Sequence, residues 1–178
     1  KYIQSDYFLR FINKKIFKKI ASIILNSKKT ILSKRVILRS FSKLSKVNTF
    51  AHRDKEYYVN SDPSKAFTIW IPIGKSNSTY GQLVYLENSQ KFEFDDKSFK
   101  PNKEKIISKD LFELANQTSS RWLIPKINKG DILIHSLNCV HASFESSTFS
   151  PRLSCDLRFA ASKRYLDLRW DSFWKGDD

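Results

Sequence analysis

His52 and Asp54 stand two residues apart in a β-rich run, and His141 lies on a separate run far downstream. Side chains alternate across a strand, so positions i and i+2 can aim at one point. Two neutral imidazoles and one carboxylate converging on a point are the ligand set of the facial triad, which binds Fe(II) and leaves three coordination positions open. Three open positions let one ion take a bidentate oxoacid together with dioxygen. His-x-Asp alone is a weak signal, and each histidine also reads as an ordinary half-buried side chain. The chain has only three histidines, and two of them occupy these positions.

The elements that must hold these groups are short and β-rich after about Lys34. Candidate strands run from Val36 to Ser42, Asn48 to Arg53, Ala66 to Ile73, Gln82 to Glu87, Trp122 to Ile127, Asp131 to Ser136, Cys139 to Glu145 and Arg152 to Ala161. That succession predicts a sandwich or jelly roll, interrupted by a helical insertion over Asn102 to Asn116. The last strand sorts cleanly by face. Leu153, Cys155, Leu157, Phe159 and Ala161 make an apolar side, and Arg152, Ser154, Asp156 and Arg158 a polar one. A polar side suits a barrel lining a cavity for a charged ligand, because buried charges need partners; it suits a solvent face equally. Thr68 and Trp70 likewise oppose Phe67, Ile69, Ile71 and Ile73, and His141 shares a side with Ser143.

Composition narrows the class. The chain has 178 residues, 40% of them hydrophobic, with 4 Gly and 5 Pro, which fits one globular domain and excludes fibrous or disordered readings. Cys139 and Cys155 form no metal-binding spacing and suit a reducing compartment, so the expected location is cytoplasmic. The chain begins at Lys1 and has no Met, which suggests a piece of a longer protein. Of the net charge of +14, residues 1–47 carry +12. The basicity is therefore local, and the strands lack the continuous basic stripe that nucleic-acid binding would need. From Phe8 to Ile24, the residues Phe8, Leu9, Ile12, Ile16, Ile20, Ile23 and Ile24 recur opposite Lys14, Lys15, Lys18 and Lys19, predicting one amphipathic basic helix. It reads as a helix packed on the core with a solvated lysine face, or as a peripheral contact with an anionic membrane.

Taken together, His52-Arg53-Asp54, Thr68-Ile69-Trp70-Ile71-Pro72-Ile73, Gly130-Asp131-Ile132-Leu133-Ile134-His135, His141-Ala142-Ser143 and Arg152-Leu153-Ser154-Cys155-Asp156-Leu157-Arg158-Phe159 resemble, in order and spacing, the phytanoyl-CoA dioxygenase family. The resemblance covers roughly Asn48 to Ala161. It implies a mainly β fold, the double-stranded β-helix, and an Fe(II)- and 2-oxoglutarate-dependent dioxygenase that uses O2 to hydroxylate an unactivated C–H of a small molecule, releasing succinate and CO2. It further implies that His52, Asp54 and His141 bind the metal, that Arg152 pairs with the far carboxylate of 2-oxoglutarate, and that Ser143 and Trp70 complete the cosubstrate pocket. An early cation of the family has no unique match here; Lys34, Arg35 and Arg39 are the candidates.

For the substrate, Lys55, Tyr57 and Tyr58 just past the metal pair and Arg158 beside Arg152 are the candidate contacts, and they favour a polar or anionic small molecule. Arg158 reads also as an ion-pair partner of an acid, and His135 as a structural histidine. The expected organisation is a basic helical segment over 1–47 packed on the barrel, an oxygenase core over 48–161 and a Trp-rich tail over 162–178. The rival reading is a non-catalytic jelly-roll binding domain, since fold alone does not fix function.

Overall fold

The computed structural model describes residues 2–45, 49–58, 62–77, 79–92, 105–128, 130–166, 169–173 and 175. Ser5 opens the first helix, α1 (Asp6–Ile12), its hydroxyl accepting from the Phe8 amide at 3.4 Å, one of the donors that a helix start leaves without an internal partner. Asn13 then ends it: its side-chain amide donates to the Leu9 carbonyl at 2.9 Å, a local bond that competes with helix propagation. α2 (Lys15–Ile24) starts afresh. The single helix expected from Phe8 to Ile24 is thus two, and the break turns the apolar face. Phe8, Ile12, Phe17, Ala21 and Leu25 are buried, whereas Ile16, Ile23 and Ile24 face solvent.

Among the described residues eight strands follow: β1 (Ile31–Leu32), β2 (Ile37–Phe41), β3 (Ala66–Ile73), β4 (Leu83–Leu86), β5 (Trp122–Leu123), β6 (Leu133–Ser136), β7 (His141–Ser143) and β8 (Arg152–Ala160), with α3 (Leu111–Gln117) between β4 and β5. The larger sheet runs β1-β8-β3-β6, with β2 also on β8, and the smaller runs β5-β4-β7. Every pairing is antiparallel. β8 is the spine. β3 pairs with it over eight positions, from Ala66↔Ala160 to Ile73↔Leu153, and β2 covers its other edge from Ile37↔Asp156 to Phe41↔Arg152.

Two differences from the sequence reading concern boundaries. β2 falls within the strand expected at Val36 to Ser42, but β1 precedes it where no strand was expected, and both hydrogen-bond to β8. The run expected at 48–53 is not a regular strand in its described part; Ala51 and His52 make isolated bridges to Ser108 and His141. The helical insertion is α3, whose first turn is capped by Asp110 accepting the Glu113 amide at 2.9 Å; residues 102–104 lie outside the described part.

Alternation decides what packs where. Phe67, Ile69 and Ile71 of β3 with Cys155, Leu157 and Phe159 of β8 form a buried cluster beneath Phe8, Ile12, Phe17 and Ala21 of the two helices. Their sequence neighbours on the opposite face point between the two sheets. On the smaller sheet, Val84, Leu86, Val140 and Ala142 pack outward against Leu114 of α3. Helices thus cover both outer faces, and the interior of the barrel is left to the polar set.

Candidate active site

His52 and His141 are locked side by side by backbone. Each amide donates to the other's carbonyl, at 3.1 and 3.0 Å, and the ring centroids lie 4.2 Å apart. The Nδ1 of His52 sits 2.8 Å from the Phe50 carbonyl and that of His141 3.0 Å from the Cys139 carbonyl. A carbonyl only accepts, so each Nδ1 carries the proton and each Nε2 is left with a free lone pair, the state a metal ligand needs. Burial lowers the pKa of both rings, His141 well below the usual imidazole range because His52 and His135 crowd it as well. Both rings are therefore neutral at physiological pH.

Asp54 completes the group: one ligand atom from each of His52, Asp54 and His141 lies within 4.8 Å of the others, and all three residues are buried. Three strands of the larger sheet hold the carboxylate. Thr68 of β3 donates to Oδ2, His135 Nε2 of β6 lies 3.3 Å from the same oxygen, and Arg158 Nη2 of β8 lies 3.3 Å from Oδ1. The Tyr85 hydroxyl meets the other nitrogen of His135 at 3.0 Å. Burial alone would raise the Asp54 pKa, but the Arg158 guanidinium, the His135 bond and the neighbouring imidazoles outweigh it and hold the carboxyl well below its usual range. An ionised carboxylate between two neutral imidazoles is a donor set that fits a divalent ion such as Fe(II).

Beyond the triad the same cavity is lined by Arg39, Trp70, Ser143, Arg152, Asp156 and Arg158. Arg152 is 1% exposed, its guanidinium stacked 4.7 Å from the Phe41 ring centroid and 5.3 Å from that of Trp70. Its Nε and Nη1 have no hydrogen-bond partner among the described residues. Burial brings its pKa down to about 10, against the pull of Asp156. A buried guanidinium with unused donors in a fixed fork calls for a planar carboxylate, so the residues present fit 2-oxoglutarate. Three arginines against Asp54 and Asp156 leave a positive surplus along the lining, which suits a dianion.

The structure brings together most of the sequence candidates, and Arg39 alone of the three early cations lines the cavity; its Nε bonds Asp156 Oδ2 at 3.2 Å. Among the substrate candidates, Arg158 lines the cavity and Lys55, Tyr57 and Tyr58 do not. Tyr58 is 8% exposed in an apolar cluster with Ala66, Leu137, Ala160 and Leu166, a packing position. Tyr57 stands behind the site, its ring 6.3 Å from that of His52 and 4.2 Å below the Lys105 ammonium. Lys55 is half-buried, and its amide donates to the Leu137 carbonyl at 3.0 Å. Sequence reasoning missed His135 and Tyr85 as parts of the site. The Thr68↔His135 register that places one of them beside Asp54 is a pairing between distant strands and leaves no local pattern.

The sequence pattern of the family described as phytanoyl-CoA dioxygenase (PhyH) matches residues 8–154. No curated protein matches the chain. Among solved structures, the non-heme alpha ketoglutarate dependent epimerase SnoN from nogalamycin biosynthesis superposes with a TM-score of 0.69 at 18% identity, over 89% of this chain and 58% of that one. EctD from S. alaskensis, solved with 2-oxoglutarate and 5-hydroxyectoine, gives 0.69 at 16% identity over 92% and 55%. AviO1 from Streptomyces viridochromogenes Tue57 gives 0.68 at 14% identity over 92% and 65%. At these identities the likeness concerns the fold, and the chain spans less than two thirds of the length of each of these structures.

Proposed function

The chain belongs to the phytanoyl-CoA dioxygenase family, and on that premise we propose that it is an Fe(II)- and 2-oxoglutarate-dependent dioxygenase that hydroxylates an unactivated C–H of a small-molecule substrate. The observation that carries this reading is the meeting in one cavity of the His52, Asp54 and His141 ligand atoms with the unsatisfied Arg152 guanidinium. When bound, Fe(II) and 2-oxoglutarate with O2 supply the oxidising power: the C–H becomes C–OH, and the cosubstrate leaves as succinate and CO2.

The protein's part is placement and charge. His52 and His141 present Nε2 because their Nδ1 protons are held by backbone carbonyls. Asp54 presents an ionised oxygen because Thr68, His135 and Arg158 keep it oriented and charged. Arg152 would take the far carboxylate of the cosubstrate, with Ser143, Trp70 and Arg39 lining the same cavity. The apolar clusters on the outer faces of both sheets keep water from the back of the cavity, and a low local dielectric strengthens each of these polar contacts. Both cysteines are free thiols, which suits a reducing compartment, and on that ground the cytoplasm is the compartment we assign.

The test is anaerobic addition of Fe(II) and 2-oxoglutarate, followed by the weak visible charge-transfer absorption of the ternary complex. The band is expected in the unaltered chain and is lost in His141→Ala and Arg152→Ala. Its absence from a folded, unaltered chain overturns the reading.

A further inference from the structure

Next to the polar cavity, a groove of about 490 Å³ opens between the edge strands β5 and β6. Leu123, Ile124 and Pro125 line it on one side, and Leu133 and Ile134 on the other. Tyr85 and His135 also line it, and His135 lines the polar cavity as well, so one imidazole is shared between the two spaces.

The strand register places the Leu123 and Leu133 side of the groove on the barrel interior, whereas Ile134, opposite Ile69, lies on the outer face, so the groove wraps around the β6 edge. Residues directly opposite in an antiparallel pair share a face. Tyr85 stands opposite both His141 and Leu123. Trp70 stands opposite Leu133, and Thr68 opposite His135. Since Trp70, Thr68, His135 and His141 line the polar cavity, Leu123 and Leu133 are the outermost members of the same inner face. Among the described residues β5 and β6 end their sheets, and no described pairing closes the gap between them. The path from solvent to the metal ligands therefore runs past Leu123 and Leu133 to the His135 ring, whose centroid lies 4.6 Å from that of His141.

We propose that this groove binds the uncharged, apolar body of the small-molecule substrate, with the Tyr85–His135 pair separating that body from the reacting end at the metal ligands. The claim rests on the oxygenase reading above and revises the polar or anionic substrate expected from sequence. Its volume falls in the range of about 300–1,000 Å³ typical of small-molecule sites, which are mostly apolar with a few placed polar groups. The polar groups here are Gln90, Ser136 and Cys139 beside Tyr85 and His135, and among the described residues no Asp, Glu, Lys or Arg lines the groove. A charged group entering it would lose its hydration with nothing to replace it. The cations of the site lie on the far side of His135, where the cosubstrate needs them.

The probe is N-phenyl-1-naphthylamine, an uncharged aromatic whose fluorescence rises on leaving water, titrated into the full chain without metal. Saturable binding at a single site is expected. Ile124→Asp and Ile134→Asp alter side chains that are already 53% and 43% exposed, so the fold should tolerate them. Each is expected to weaken binding by roughly tenfold or more, as is replacing the probe with anionic 1-naphthoate. Ile23→Asp, on the exposed face of α2, should leave binding unchanged. Equal binding by all variants, equal loss in Ile23→Asp, or tighter binding of naphthoate overturns the proposal. So does a dimer dispersed by Ile134→Asp whose monomer binds no probe, which would assign the groove to a second copy. Mn(II) affinity is measured on the same samples. Intact Mn(II) binding without probe binding removes the groove proposal alone, whereas an unaltered chain that binds no Mn(II) removes the oxygenase premise itself.

Discussion

The two sheets that enclose the site hold their share of it in different ways. The larger sheet is built on an eight-position pairing of β3 with β8 and sits under a cluster reaching up to both N-terminal helices. It supplies the arginines, Trp70 and the three groups that hold Asp54. The smaller sheet has strands of two to four residues, backed by α3, and supplies His141 and Ser143. Charge placement, which is costly when wrong, is assigned to the long rigid pairing. His52 instead depends on a reciprocal backbone bridge to His141, which the short β4–β7 pairing holds in turn. The contrast suggests that cosubstrate recognition and metal binding fail separately when the protein is perturbed.

Removing Asp54 tests that most severely, because it is the one ligand held by the larger sheet. In Asp54→Ala, succinate formation should fall to the metal-free background while secondary structure by circular dichroism stays intact. Residual 2-oxoglutarate-dependent turnover would show that the carboxylate is not a ligand. The next largest effect should be on stability. Leu157 of β8 and Leu86 of β4 are each at most 1% exposed, and Leu→Ala in a core costs about 2–5 kcal/mol depending on how far the surroundings collapse. Leu157→Ala should fall at the upper end and Leu86→Ala at the lower, read from urea unfolding midpoints. Equal losses would erase the difference in rigidity between the sheets.

His135→Ala should weaken Mn(II) or Fe(II) binding by about 10- to 100-fold, the usual cost of removing a group that orients a metal ligand, without changing the unfolding midpoint as much as Leu157→Ala does. Tyr85→Phe, which keeps the imidazole in place, should have the smaller effect of the two. The smallest effect is pH dependence of stability in the metal-free protein. Burial lowers the folded-state pKa of His52 and His141. The unfolded chain therefore takes up protons first as pH falls, and the stabilising contribution is complete above about pH 6.5 and is lost progressively below it. Denaturation midpoints that fall between pH 7.5 and 5.5, and recover in a His141→Gln variant, would bear this out.

That His52 and Asp54 share a cavity with Arg152, Asp156 and Arg158 was legible because the signals are local, a two-residue spacing and an alternating strand, whereas the roles of these residues and the place of His141 rested on the family resemblance. The inner and outer faces of β3 and β8 followed from the same alternation and match the packed cluster. What escaped the sequence depends on distant partners. β1 is two residues long and exists because β8 pairs with it. The position of His135 is fixed by Thr68 across the sheet, and Tyr58 is buried by residues from Ala66 to Leu166. The helix break at Asn13 had a local cause, a side chain able to bond its own backbone, that apolar periodicity alone does not weigh.

The unpaired edges of β5 and β6 have a cost for the chain in concentrated solution. Each is a row of backbone donors and acceptors with no strand beside it among the described residues, with Ile124 and Ile134 exposed nearby, and such a row is a template on which another chain can add a strand. The opening that admits a substrate would thus also set a ceiling on solubility. A bound molecule filling the groove would protect the protein from aggregating at the same time as it presents itself for reaction.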